Sequence, residues 1–191
     1  EPYETQSVST RSNPGDVLDN IDDLCVVAYD LEGNLMDGFP VEISAAHGLE
    51  ITSVPRKNSD ASNGNSAQSF TLRATFRMKV PYGRYYMYGV ANLGRRDDSG
   101  NRLTTTIREL SPGGRYAAHV ATRESFLKAD MMWDETNYRN NAQMMGYFTV
   151  GEEKKSPSTG LQTNNKTVSV DRPGIMLHSW LRRCASKITL D

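Results

Sequence analysis

From Phe70 to Val80 apolar and polar residues alternate without a break. Phe70, Leu72, Ala74, Phe76, Met78 and Val80 stand against Thr71, Arg73, Thr75, Arg77 and Lys79. Only an extended strand separates two such sets cleanly, because successive side chains leave a pleated backbone on opposite faces. Pro81-Tyr82-Gly83 then reverses the chain, Pro presetting φ and Gly free to take a positive one. The return run Tyr85-Tyr86-Met87-Tyr88-Gly89-Val90-Ala91 is aromatic-rich and closes at Asn92-Leu93-Gly94. The pair predicts a hairpin in a sheet with one wet face. Phe70, Leu72, Phe76, Met78 and Val80 should be buried, and Arg73, Arg77 and Lys79 should face solvent.

Size and charge narrow the class. A chain of 191 residues can bury one good core, or two small ones. Its formal net charge of −1, with acids and bases interspersed, offers no electrostatic case for nucleic acid or an anionic membrane. The longest apolar run, Leu24-Cys25-Val26-Val27-Ala28-Tyr29, is far too short to span a bilayer as a helix. Two cysteines, Cys25 and Cys184, are too few for a disulfide scaffold and lack zinc spacing. Each shares the parity of its strand's larger apolar residues. Two buried thiols are one reading, and a bridge between neighbouring first and last strands is the other.

Along the chain, residues 1–20 read as a polar arm and residues 21–191 as a β-sandwich domain. Strands are expected over Ile21–Tyr29, Phe39–Ile43 and Leu49–Val54, with a turn at Asp30-Leu31-Glu32-Gly33-Asn34. Residues 58–68 and 95–101 read as loops. Residues 104–130 lose the period-two pattern, and Pro112-Gly113-Gly114 interrupts any single helix, so short helical turns packed across the sheet are expected. Strand returns at Met144–Val150, Thr167–Val170 and Leu177–Leu190, around a loop at 151–165 and a turn at Asp171-Arg172-Pro173-Gly174. The expected architecture is a mainly β, antiparallel sandwich with a short irregular helical insertion.

Catalytic and metal signatures are sparse. His47, His119 and His178 are isolated, so neither a helix nor a strand offers the paired spacing of a metal site. There is no Gly-x-Ser-x-Gly, P-loop or Gly-x-Gly-x-x-Gly, and Ser111-Pro112-Gly113-Gly114-Arg115 reads as a plain turn. Asp16, Asp19, Asp22 and Asp23 lack the register of a calcium loop and read as a solvated linker. Arg95-Arg96 and Arg182-Arg183 read as solvent-facing pairs. Tyr82, Tyr85, Tyr86 and Tyr88 could form a sugar- or peptide-binding shelf, although cross-strand packing explains them at least as well. The expectation is a protein without catalytic residues, metal or cofactor.

The order of elements carries a resemblance. An Arg-terminated arm, Ser9-Thr10-Arg11, leads to Ile21-Asp22-Asp23-Leu24-Cys25-Val26-Val27-Ala28-Tyr29-Asp30. Then come Val80-Pro81-Tyr82-Gly83 with its return strand to Ala91-Asn92, Met144-Met145-Gly146-Tyr147, and Leu181-Arg182-Arg183-Cys184-Ala185-Ser186-Lys187-Ile188. Across about residues 9–191 this resembles the N-terminal half of the fimbrillin-type pilins of Bacteroidales, the FimA/Mfa family of type V pili. The resemblance implies a transthyretin-like β-sandwich followed in the family by a second domain, absent from this chain. It implies a lipoprotein precursor exported to the outer membrane, and a place in a cell-surface fimbria. It also implies other pilin subunits as partners, and a host or bacterial surface receptor if the subunit is adhesive.

The resemblance further implies an Arg-specific protease acting between Arg11 and Ser12, followed by strand exchange between subunits. Residues 3–10 would be the displaced strand, held at a sheet edge, with Tyr3, Thr5 and Val8 as its marked positions and Tyr3 and Val8 as apolar anchors. A stand-alone carbohydrate-binding sandwich using the Tyr82–Tyr88 cluster is the competing expectation.

Overall fold

The computed structural model describes residues 3–10, 21–55, 70–93, 109–128, 143–151 and 166–183. It is mainly β. Nine strands are described: β1 (Tyr3–Thr10), β2 (Leu24–Tyr29), β3 (Val41–Glu42), β4 (Glu50–Pro55), β5 (Phe70–Lys79), β6 (Gly83–Ala91), β7 (Met144–Val150), β8 (Val168–Val170) and β9 (Met176–Arg183). Two short helices, α1 (Ala117–Val120) and α2 (Arg123–Lys128), and a 3-10 turn at Ala45–His47 complete the described elements. The predicted strands are present within the described residues, though the Phe39–Ile43 run pairs only at Val41–Glu42 and residues 184–190 of the predicted last strand lie outside the described residues.

Hydrogen-bonded strands follow one path, β3-β2-β6-β7-β9-β1-β5-β4, with β8 pairing onto the start of β6. The path folds over on itself. Val26 and Ala28 of β2, Met87 of β6 and Phe148 of β7 share one buried cluster with Phe76 and Met78 of β5 and Leu177 and Leu181 of β9. That cluster is the sandwich interior, and it collects the even-numbered apolar row of β5 as the alternation demands. Leu72, Phe76, Met78 and Val80 are buried, while Arg77 and Lys79 are exposed. Arg73 departs from expectation and is only half-exposed. The side chain of Phe70 lies outside the described residues.

Strand β2 is buried along its whole length because both its faces are covered. Leu24, Val26 and Ala28 face the interior; Cys25, Val27 and Tyr29 join Tyr88, Val90, Met145, Tyr147, Val120 and Phe126 in a second cluster. The helical insertion supplies the lid of that second core. It is pinned at one end by backbone bonds, Arg123 N–H to the Gly33 carbonyl at 2.8 Å and Leu35 N–H to the Ala121 carbonyl at 3.3 Å. Tyr29 donates its hydroxyl to the Val120 carbonyl at 3.0 Å, and its ring centroid lies 5.8 Å from Phe126. Cys25 is a free buried thiol. β6 and β7 stand between β2 and β9, so first-core and last strands are not neighbours as a bridge would need; Cys184 lies outside the described residues.

The acidic run is a structural clamp rather than a solvated linker where it is described. Asp23 is buried, and its Oδ1 accepts the Leu93 N–H at 2.8 Å. Asn92 sits at a φ of 58°, a left-handed conformation that short amides tolerate, and its Oδ1 accepts the Asp22 N–H at 2.8 Å. The Ala-Asn ending of β6 thus has a local cause: it stitches that strand's end to the segment entering β2.

Candidate functional site

Strand β1 occupies the seam of the sandwich. It pairs antiparallel with β5, from Tyr3 opposite Lys79 to Ser9 opposite Arg73. On its other side it pairs parallel with β9, from Thr5 opposite Met176 to Thr10 opposite Leu181. This corrects the expectation of a sheet-edge arm: β1 is flanked on both sides and joins the two halves of the strand path. Without β1, the edges of both β5 and β9 would present unpaired backbone N–H and C=O groups.

Register sorts the eight residues of β1 into two rows. Directly paired residues share a sheet face, and every second residue shares it too. Glu4, Gln6, Val8 and Thr10 stand on the row of the sandwich interior. Glu4 is opposite Met78, Gln6 lies between Phe76 and Leu177, Val8 between Ala74 and Ser179, and Thr10 beside Leu181. Tyr3, Thr5, Ser7 and Ser9 stand on the other row, where the neighbours are Lys79, Arg77 with Met176, Thr75 with His178, and Arg73 with Trp180. Tyr3 and Val8, the expected anchors, stand at register positions of opposite parity, and their side chains lie outside the described residues.

The slot between β5 and β9 is apolar except at one level. Met78, Phe76, Ala74, Leu177 and Leu181 are buried members of the interior. Ser179 is 1% exposed, and its Oγ has no hydrogen-bond partner. Gly146 of β7 shows what that hydroxyl faces. A Cβ built at Gly146 would lie 2.7 Å from the Ser179 Oγ and would collide with the Trp180 carbonyl oxygen. Glycine is required there by the close approach of β9, and the β7 residue in register with Ser179 is Phe148.

The predicted tyrosine shelf is dispersed. Tyr82 is 57% exposed at the hairpin turn. Tyr85 is buried toward the interior, donating its hydroxyl to the Pro81 and Tyr82 carbonyls at 3.1 and 3.0 Å. Tyr88 is buried in the second core, where it receives the Arg123 Nε–H at 2.8 Å. Burial raises the Tyr88 phenol above its ordinary pKa, and Arg123 works against that shift. Tyr86 is half-buried with the Arg123 guanidinium 4.1 Å over its ring. Parity sends Tyr85 to the interior, while Tyr86 and Tyr88 share the other face, where Tyr88 is buried in the second core and only Tyr86 keeps part of its ring exposed. Tyr86 and Arg123 do line an open hollow of about 710 Å³ with Leu31, Asn34, Leu127 and Lys128.

The remaining candidates stay apart. His47 ends the 3-10 turn and accepts the Ser44 N–H on Nδ1 at 3.2 Å, His119 lies in α1, and His178 in β9. Among the described residues no group of three His, Cys, Asp or Glu side chains converges on a metal-sized space. No described helix is long and apolar enough to cross a membrane. Arg11 and Ser12, the expected cleavage pair, lie outside the described residues. The slot's polarity was legible in one respect only: the even positions of 3–10 are polar but for Val8, yet nothing in sequence says which strands they meet.

No family model matches this sequence, and no curated protein matches it. Among solved structures, one of a putative cell adhesion protein from Bacteroides eggerthii is similar at 16% identity and a TM-score of 0.45, over 94% of this chain and 39% of that one. Another, of a putative cell adhesion protein from Parabacteroides distasonis, is similar at 12% identity and a TM-score of 0.36, over 92% of this chain and 40% of that one. The chain spans about two fifths of the length of each.

Proposed function

We propose that this chain is a structural or adhesive subunit of a cell-surface fimbria, assembled when β1 is cut away and replaced by a strand of another subunit. The observation that carries the proposal is the position of β1: it is paired on both sides in the seam of the sandwich, with polar residues at three of its four interior-row positions. A cut between Arg11 and Ser12 would leave β1 tied to the domain by backbone ladders and by whatever its side chains add. Each ladder hydrogen bond contributes only about 0.5–1.5 kcal/mol net. Polar residues in register with Met78, Phe76 and Leu181 add little hydrophobic stabilisation, whereas a donor with apolar residues there would bury them in a preformed slot. Partners under this reading are further subunits and an Arg-specific protease, and the order of motifs from Arg11 to Ile188 supports the same reading.

The test is limited digestion of the folded chain with an Arg-specific protease. A synthetic peptide of β1's length, with leucine at the positions of Glu4, Gln6 and Thr10, is then added. A single early cut after Arg11, followed by retention of the peptide on cut but not on uncut protein, is expected. Resistance of Arg11 in the folded chain, or equal retention by both forms, overturns the mechanism.

A further inference from the structure

We infer that the slot between β5 and β9 selects an incoming strand whose polarity inverts that of β1. Such a strand is apolar at the level of Gln6 and carries a short hydroxyl side chain, serine or threonine, at the level of Val8. The inference rests on the strand-replacement reading above and names the partner's chemistry.

The levels differ in what they offer. At the level of Gln6 the flanking residues are Phe76 and Leu177, both buried and apolar, so an amide there has no described polar neighbour in register. At the level of Val8 the flanking residues are Ala74 and Ser179. Ser179 is the slot's polar residue, and its hydroxyl is buried without a partner. On the β7 side Ser179 is in register with Phe148, which carries no hydrogen-bonding group, and Gly146 has no room for a side chain. The side open to a new partner is the β1 position. In-register residues of neighbouring strands stand close enough for Ser–Thr side-chain hydrogen bonds. Leaving a buried hydroxyl unpaired is costly, and pairing it recovers that cost.

By register β1 therefore mismatches the slot in two ways, with polar residues at its apolar levels (Glu4, Gln6 and Thr10) and a valine at its polar one. A donor with the inverse pattern corrects both. It displaces β1 in a defined register, since a shift by two residues would move its hydroxyl to an apolar level.

Two experiments separate this inference from the reading beneath it. In the intact chain, Val8→Thr, Ser179→Ala and the double variant form a cycle read by urea midpoint. Val8→Thr should raise the midpoint with Ser179 present and lower it in the Ser179→Ala background. The same shift in both backgrounds overturns the inference without any strand exchange. On the chain cut at Arg11, two peptides with leucine at levels 4, 6 and 10 are compared, one with valine and one with threonine at level 8. The threonine peptide should bind about ten-fold tighter, equivalent to about 1.4 kcal/mol, and the preference should vanish on Ser179→Ala. Equal or reversed binding overturns the inference while strand replacement stands. If neither peptide binds but the cycle shows opposite shifts, strand replacement fails and the complementarity of position 8 to Ser179 is upheld within the intact chain.

Discussion

Strands β1 and β2 are both hydrogen-bonded along two sides, β1 between β5 and β9, β2 between β3 and β6. Backbone pairing alone would make β1 the more firmly held, since β3 meets β2 only at Cys25 and Val26 while β1 pairs along most of its length on both sides. Side chains point the other way: β2 reads Leu-Cys-Val-Val-Ala-Tyr and is buried at every position, whereas β1 reads Tyr-Glu-Thr-Gln-Ser-Val-Ser-Thr. Burial of a large apolar side chain stabilises by about 1.5–3 kcal/mol, more than one net ladder bond. Under the strand-replacement proposal, a strand with both faces in a core stays in place and one of β1's composition is the one replaced. Position in the sheet therefore says how many hydrogen bonds a strand makes, and composition says how hard it is to remove.

The largest effect should come from breaking β2. Tyr29→Ala removes a ring packed against Tyr88 and Phe126, at centroid distances of 6.2 and 5.8 Å, together with the hydroxyl bonded to Val120. A loss of about 3–5 kcal/mol is expected from the urea midpoint. Tyr29→Phe should lose only about 1 kcal/mol, the net value of the hydrogen bond. If Tyr29→Ala costs no more than Tyr29→Phe, the second core does not hold β2 in place.

Alkaline pH attacks the same strand. Burial, with Asp23 and Glu42 nearby, pushes the Cys25 thiol well above its ordinary 9.0, and burial beside Tyr88 and Cys25 pushes the Tyr29 phenol above its ordinary 10.0. Groups with raised folded-state values stabilise fully below the unfolded value and lose that contribution as pH rises past it. Stability should hold to about pH 9 and then fall by about 1.4 kcal/mol per pH unit for Cys25, with Tyr29 adding from about pH 10. Urea midpoints between pH 8 and 10.5 measure the fall, and Cys25→Ala should remove its earlier part. An unchanged slope in that variant would place the alkaline loss outside β2.

A smaller loss tests how β2 is entered. Asn92→Ala forces an alanine to a φ of 58° and removes the acceptor of the Asp22 N–H. About 2 kcal/mol is expected, with Asn92→Gly closer to 1 because glycine takes the left-handed region freely. Equal losses would mean that the backbone angle contributes nothing and the hydrogen bond all of it.

These regions were unequally legible in sequence. The β5–β6 hairpin follows from parity alone, because alternation is local and needs no partner. The double burial of β2 was less visible: six consecutive apolar residues fit any strand covered twice, and what covers the outer face is an insertion some 90 residues downstream, as the Tyr29–Val120 bond shows. Asp23 reads as solvated in sequence because a short polar residue carries no sign of the distant backbone group it will meet, here the Leu93 N–H. Tyr82 to Tyr88 cluster in sequence without forming an exposed shelf, because parity sends Tyr85 to the interior and the helical insertion covers Tyr88 on the face it shares with Tyr86. For β1 the sequence holds the two rows but not their neighbours. Only the pairing with β5 and β9 shows which of the two rows is the interior one and that Ser179 is the exception in the slot.

The smallest effect sharpens the comparison most, because it should run in the opposite direction. Gln6 stands in register between Phe76 and Leu177, both in the sandwich interior. If that level is apolar, Gln6→Leu converts part of β1 toward the character of β2 and stabilises the chain by about 1 kcal/mol, the value of roughly one buried methylene. Ser7→Leu serves as the control, since Ser7 registers with Thr75 and His178 on the other row and should gain nothing. Amide exchange gives a second readout: the gain should appear as added protection in β1, with β2 unchanged, because only the opening of β1 becomes harder. A destabilised Gln6→Leu chain would mean that the amide is matched to its level. Β1 would then be fitted to its slot as closely as β2 is to its two cores, and the contrast between an exchangeable and a permanent strand would not hold.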